Sequence, residues 1–203
     1  MRKVLMIMFM TLDGVAEWPH YEDESETESE DEIDPMWTHR IASIDTLLLG
    51  RQTYLKWVSF WPERKNDPSS GPFQKAFSEF ADRAEKVVFS KTLPSVEWPN
   101  SRIVRGDIGD EITRLKSLPG SDMVVMGPRL AQSFLDRDLV DELCLDVFPT
   151  LVGKGKPLFH VDPNPDNPED RVPLRAPGRR DFKLVESKPL KDGTIFLHYR
   201  RAV

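Results

Sequence analysis

"LLLGRQTY", residues 47–54, is an apolar run that ends at a glycine and continues into polar residues suited to a helix. The pattern predicts a buried strand, a tight turn at Gly50 and a helix that begins at Arg51. A helix N-terminus favours a bound anion, because its N–H groups and dipole are positive there. With the Arg51 guanidinium and the Thr53 hydroxyl beside them, these groups suit a phosphate. Gly50 also has a purely structural explanation, since glycine adopts backbone conformations that other residues avoid.

The same strand-to-helix pattern recurs in "VVMGPRLAQSFL", residues 124–135. Gly127 ends the apolar run, and Pro128 and Arg129 open a helix, where the missing N–H of proline costs little. Two such turns on one sheet are what a dinucleotide pyrophosphate uses. By itself, this turn fits a structural junction with a surface arginine equally well.

Two further strand ends carry polar side chains. In "VVFSKTL", residues 87–93, Ser90 and Lys91 offer a hydroxyl and an ammonium, as the 2′-phosphate of NADP requires, although alone they are more typical of a solvated loop. In "FMTLDGVAEW", residues 9–18, Asp13 stands where open α/β sheets bind ligands. It is a candidate for substrate orientation or proton relay. The alternative is a turn-forming Asp13-Gly14 pair.

Short continuous apolar runs alternate with helical patterns along the chain, which predicts a largely parallel sheet covered by helices on both faces. Two strand-like halves around Lys191-Asp192-Gly193 predict a C-terminal antiparallel hairpin over 182–200. The predicted strands are 3–10, 45–49, 86–89, 102–104, 122–126 and 142–148, and the predicted helices are 36–43, 51–60, 72–82, 109–118 and 129–136.

A chain of 203 residues with 39% hydrophobic content predicts one domain over 1–203. Two segments interrupt it. The acidic run at 22–34 predicts a mobile, solvated loop, with a lid as the alternative, and the prolines of 160–181 predict an irregular loop.

Composition excludes several functional classes. The acidic run holds nine of the negative charges, so the net −6 becomes +3 for the rest of the chain, without the basic stripe that duplex nucleic acid needs. No apolar run reaches the length of about 20 residues that spans a bilayer, and the apolar start is better explained as a first core strand than as a signal peptide. The histidines show no metal-binding spacing. With Cys144 as the single cysteine, we expect a soluble cytoplasmic protein without a metal.

Taken together, "MFMTLDGV", "LLLGRQTYLKW", "KVVFSKTL", "LKSLPGSDMVVMG", "LVDELCLDVFPTLVGKGKPLF" and "KDGTIFLHYR" resemble the dihydrofolate-reductase-like family. The nearer branch is the reductase domain of the deaminase-reductase of riboflavin biosynthesis and its stand-alone relatives. The resemblance covers most of the chain outside the two loops. It implies a mostly parallel sheet flanked by helices, an NADPH site across the strand ends and a homodimer.

The resemblance also implies roles for individual residues. Those expected at NADPH are Gly50, Arg51 and Thr53 at the phosphates, Ser90 and Lys91 at the 2′-phosphate, and Gly127, Pro128, Arg129 and Leu130 at the second turn. Those expected at the substrate are Asp13, Gly14 and Trp18.

Two departures from the family pattern narrow the function. Dihydrofolate reductases place a carboxylate on the helix after the first strand, and "PMWTHRIAS", residues 35–43, offers none there, so folate is a poor substrate. Pro128 also removes one N–H donor. The leading hypothesis is an NADPH-dependent oxidoreductase acting on a C=O or C=N carbon of a small pterin- or pyrimidine-like molecule. The alternative is a non-catalytic nucleotide-binding or regulatory module.

Overall fold

The computed structural model describes residues 1–17, 40–159 and 180–202. The predicted acidic loop, most of the predicted proline-rich loop and Trp18 lie outside these residues, and the helix predicted over 36–43 is described only from residue 40 onward. The strands are β1 (Val4–Thr11), β2 (Val15–Glu17), β3 (Ile44–Gly50), β4 (Glu85–Phe89), β5 (Ser101–Val104), β6 (Asp122–Met126), β7 (Glu142–Phe148), β8 (Lys156–Pro157), β9 (Phe182–Pro189) and β10 (Ile195–Arg201). The helices are α1 (Arg51–Val58), α2 (Trp61–Arg64), α3 (Pro72–Arg83), α4 (Ile108–Ser117) and α5 (Pro128–Leu135).

An eight-stranded sheet has the strand order β5-β4-β3-β6-β1-β7-β10-β9. The first six strands in this order are mutually parallel, whereas β10 runs antiparallel to β7 and to β9. This arrangement confirms the predicted parallel sheet and the predicted hairpin. A small ladder between β2 and β8 was not predicted, because its two strands lie far apart in the chain and "VGKGKP" suggests only a glycine turn.

The apolar run Leu47–Leu49 lies at the centre of the core. Leu47, Leu48 and Leu49 are fully buried. Leu47 and Leu49 pack on one face of the sheet with residues of α3, and Leu48 packs on the other face with residues of α4 and α5. Burial of a leucine side chain stabilises a fold by about 1.5–3 kcal/mol, so this run fixes β3 between two layers of helices.

One predicted helix is shorter than expected. The helix predicted over 51–60 ends at Val58, and the separate short helix α2 begins at Trp61. Pro62 has no N–H to continue the first helix, and the Ser59 hydroxyl donates instead to the carbonyl of Lys56 at 2.9 Å. Trp61 still packs on Phe77 of α3, with ring centroids 4.4 Å apart, and so joins the edge of the core.

Cys144 lies in β7 and is fully buried. Burial raises the pKa of its thiol to about 12. Because the thiolate is the reactive form of cysteine, this side chain is chemically inert at neutral pH.

Candidate active site

The three predicted phosphate-binding turns follow neighbouring strands. Strand β3 lies between β4 and β6, with Gly50 opposite Phe89 and Leu49 opposite Met126. Adjacent strands are about 4.8 Å apart, so the segments that follow them begin side by side. Arg51, Ser90 and Gly127 therefore lie along one edge of the sheet, at the carboxyl ends of its parallel strands.

The turns at Gly50 and Gly127 touch each other. A Cβ added to Gly127 would lie 2.3 Å from the Thr53 hydroxyl oxygen, and a Cβ added to Gly50 would lie 3.7 Å from the Cβ of Leu130. Gly127 also has a φ of +90°, which side chains rarely adopt. The close approach of α1 and α5 therefore depends on a glycine at position 127.

Both helices present open N-termini at this contact. Neither α1 nor α5 has a side-chain hydrogen bond at its N-cap or an acidic residue in its first turn. In contrast, the Asp107 carboxylate caps α4, whose first turn also carries two acidic residues. Since the first N–H groups of a helix have no intrahelical partner, α1 and α5 offer backbone donors and two positive dipole ends to one small region.

The side chains around this region add positive charge. Arg51 is the first residue of α1 and Arg129 is the second residue of α5, and both are exposed. Lys91, also exposed, follows β4 on the neighbouring strand. Leu130 is different, because its side chain is 9% exposed and belongs to the hydrophobic core. Its contribution to a ligand is limited to the backbone N–H.

Ser90 begins a compact turn after β4. Its hydroxyl oxygen accepts hydrogen bonds from the N–H groups of Leu93, at 3.0 Å, and Thr92, at 3.3 Å. The hydroxyl proton is still available to a phosphate oxygen. Arg105, the first residue after β5, donates to backbone carbonyls of this turn. The sequence analysis missed Arg105, because a single arginine after a short strand gives no pattern.

Asp13 holds a neighbouring loop in place. One carboxylate oxygen accepts the N–H groups of Gly153, at 2.8 Å, and Val152, at 3.2 Å, and the other accepts the Thr11 hydroxyl. The Thr11 hydroxyl, together with these N–H groups, lowers the pKa of the Asp13 carboxyl below its ordinary value. The carboxylate is thus ionised at neutral pH and already occupied by donors.

Two other residues lie near Asp13, at the same end of β1 and β7. Gly14 has a φ of +78° and closes the turn after β1 through an N–H donated to the carbonyl of Thr11 at 2.9 Å. Asp146 lies on β7 directly opposite Phe9 of β1 and is 5% exposed. It is a buried carboxylate near this edge that the sequence analysis did not single out, because it sits inside an apolar strand pattern.

Within residues 1–17, 40–159 and 180–202, no helix is long and apolar enough to cross a membrane. In that same part of the chain, no group of three histidine, cysteine, aspartate or glutamate side chains is placed to hold a metal ion.

The mostly parallel sheet with its C-terminal antiparallel hairpin is a dihydrofolate-reductase-like fold. The chain belongs to the family described as the RibD C-terminal domain, whose sequence pattern matches residues 2–196. A relative in Bacillus subtilis, the uncharacterized protein YyaP, is 31% identical over 202 residues, which cover 98% of this chain and 94% of YyaP. The predicted family is therefore confirmed.

Solved structures show the same fold. A putative riboflavin biosynthesis protein from Shewanella superposes with a TM-score of 0.70 at 21% identity, with all of both chains covered. A deaminase/5-amino-6-(5-phosphoribosylamino)uracil reductase from Thermotoga maritima gives 0.62 at 18% identity, over 99% of this chain and 57% of that one. A dihydrofolate reductase from Enterococcus faecalis, complexed with NADP(H), gives 0.55 at 13% identity, over 99% and 97% of the two chains. The chain thus has a reductase-type fold.

Proposed function

We propose that the protein is an NADPH-dependent reductase that reduces a C=O or C=N carbon of a small, polar, pterin- or pyrimidine-like substrate. One observation carries the proposal. The uncapped N-termini of α1 and α5 meet at the Thr53–Gly127 contact, beside the Ser90 turn on the next strand. Membership of the RibD C-terminal domain family supports the same conclusion.

The residues present fit the anionic part of NADPH. In the proposed complex, the N–H groups and arginines of α1 and α5 bind the diphosphate, and Ser90 and Lys91 bind the 2′-phosphate. When bound, the nicotinamide supplies the hydride. The work of this chain is then to place the substrate carbon about 3–3.5 Å from the donor and to exclude water.

The proposed role of Asp13 is positional. Because its carboxylate holds the N–H groups of Val152 and Gly153, we assign it to fixing the loop after β7 at the substrate end of the sheet. Its lowered pKa makes it a poor proton donor at neutral pH. Substrate orientation by Asp13 would therefore act through this loop rather than through proton relay.

The proposal is tested in two steps. Tryptophan emission is followed while NADPH or NADH is titrated, and NADPH oxidation is then followed by absorbance when a substrate is supplied. The chain has five tryptophans, two of them in or just after α1, so nucleotide binding is expected to change their emission. NADPH is expected to bind more tightly than NADH and to be oxidised when keto or imine heterocycles are supplied. Binding without oxidation of any such substrate would favour the non-catalytic module. Unchanged emission with both nucleotides at millimolar concentration would refute the cofactor assignment.

Arg51→Ala is expected to weaken NADPH binding by about 10- to 100-fold, because a charge-assisted hydrogen bond contributes roughly 1.5–3 kcal/mol. Arg51 is exposed, so the melting temperature should change little. Lys56→Ala is the matched control, since it removes the same charge from the last turn of the same helix. Equal NADPH affinity in the Arg51 variant and the parent would contradict the role of Arg51.

We further propose that the protein is a homodimer. The outer strand β9 exposes Leu184 by 55% and Val185 by 48%, and exposed apolar side chains on an edge strand favour association. Light scattering of the purified protein measures the mass directly. A monomeric mass at micromolar concentration would exclude the proposed dimer.

A further inference from the structure

Besides the Ser90 hydroxyl, one side chain that follows the neighbouring strand holds the turn after β4. The Arg105 guanidinium donates to the carbonyls of Leu93 at 2.7 Å and Lys91 at 3.0 Å, with longer contacts of 3.4 Å to Pro94 and 3.5 Å to Ser90. A guanidinium is planar and rigid, so one side chain that contacts four carbonyls fixes the shape of the turn. Replacement by a flexible residue would release all four.

Within the part of the chain that the structure describes, Arg105 has no acidic partner. Among the ion pairs of the described residues, Arg102 at the other end of β5 contacts the carboxylates of Glu85 and Glu111, whereas no carboxylate pairs with Arg105. Asp107, two residues further on, is occupied as the N-cap of α4. Arg105 therefore offsets the negative ends of the carbonyl dipoles and adds a positive charge beside Lys91.

Arg105 lies at the outer end of the row of strand-end turns. It follows β5, which pairs with β4 through Val104 and Phe89, and β4 in turn pairs with β3. The order along the edge is thus Arg105, the Ser90 turn, the N-terminus of α1 and the N-terminus of α5. Two strand spacings, about 10 Å, separate Arg105 from the start of α1. Its effect should therefore fall on the 2′-phosphate, which is proposed to bind at the Ser90 turn, and not on the diphosphate.

We infer that Arg105 determines the preference for a 2′-phosphorylated nucleotide, by holding the Ser90 turn in its binding shape and by adding an unneutralised charge next to Lys91. Arg105 acts through the turn and is a positioning residue. The inference rests on the proposed function, because it assumes that the nucleotide binds along this edge with its adenosine end at β4.

The experiment compares NADPH with NADH, and adenosine 2′,5′-bisphosphate with AMP, on the parent, Arg105→Ala and Arg105→Lys. Arg105→Ala is expected to weaken NADPH and the bisphosphate by about 10- to 100-fold while leaving NADH and AMP unchanged. Arg105→Lys is expected to be intermediate, because lysine keeps the charge but cannot hold the four carbonyls. Arg83→Ala is the matched control, since it removes an exposed arginine at the opposite end of β4.

The outcomes separate the inference from the proposed function. Equal losses for NADPH and NADH, or no loss for either, would overturn the role of Arg105 while NADPH binding by the parent still stood. Full recovery in Arg105→Lys would overturn the bracing of the turn. If the parent binds neither nucleotide, the proposed function fails and the inference fails with it. Should Arg105→Ala lower the melting temperature strongly, Arg105→Lys decides alone: a lower ratio of NADPH to NADH affinity than in the parent supports the bracing of the turn, and an unchanged ratio overturns it.

Discussion

Gly127→Ala is expected to abolish tight NADPH binding and to lower the free energy of unfolding by about 2–4 kcal/mol, because it adds both a strained backbone and a steric clash. The alanine would have to adopt a φ of +90°. Its Cβ would also lie 2.3 Å from the Thr53 hydroxyl oxygen. That clash is relieved only if α5 moves away from α1 or the Thr53 side chain rotates, and either change disturbs the contact between the two helix N-termini that form the proposed diphosphate site.

Urea unfolding and nucleotide titration of the same samples check both effects. Gly106→Ala is the control for folding, because a Cβ there has no neighbouring atom within 4 Å. The double variant Thr53→Ala/Gly127→Ala should recover part of the stability, since it removes the clashing oxygen and leaves only the backbone strain. A Gly127→Ala protein with the stability and affinity of the parent would show that the two turns are not coupled as described.

Lys86→Met is expected to destabilise the protein by about 2–4 kcal/mol at pH 7, because it removes the donor of three hydrogen bonds, two of them buried. Lys86 is fully buried in β4. Its ammonium donates to the carbonyls of Ala84 at 2.9 Å, Asp82 at 3.1 Å and Ala81, at the C-terminal end of α3, and lies 4.7 Å from the Trp98 ring centroid. Methionine has a comparable length but removes this donor from the carbonyls of Ala81 and Ala84, whereas the carbonyl of Asp82 still accepts the Asn100 amide at 3.1 Å.

The pH dependence of the same comparison has a definite sign. Burial lowers the pKa of Lys86 to about 8, against a partial opposing effect of Asp82. Between pH 8 and the ordinary lysine pKa of 10.5, the unfolded chain binds more protons than the folded chain, so stability rises with pH. The stability difference between parent and Lys86→Met should therefore grow by about 2 kcal/mol from pH 7 to pH 9.5. Urea unfolding at the two pH values measures it, and a constant or shrinking difference would contradict the lowered pKa.

The sequence was most informative where strands are buried on both faces. Strands β6 and β7 have the predicted bounds, and the other predicted strands of the parallel part differ by one residue at one or both ends. Continuous apolar runs such as Leu47–Leu49 cannot be satisfied at the surface, so their pattern alone specifies a central strand. The glycines at 50 and 127 then predict where each strand turns into a helix.

The remaining features depend on contacts between distant parts of the chain. Nothing in the neighbourhood of Lys86 indicates that it caps α3 from inside the core, because a lysine in a strand pattern usually faces solvent. The link from Asp13 to Gly153 follows from the pairing of β1 with β7, and the link from Arg105 to Leu93 follows from the pairing of β4 with β5. Local patterns predict the elements, but they do not predict which side chains meet across them.

The strands that bring the proposed nucleotide-binding turns together are separated in the chain. Strand β3 ends at residue 50 and its partner β6 begins at residue 122, so their pairing closes a long loop. Such distant pairings raise the contact order and are entropically costly early in folding. The proposed anion-binding edge should consequently form late during refolding. A nascent chain from which α5 has not yet emerged has the turn at Gly50 without the turn at Gly127.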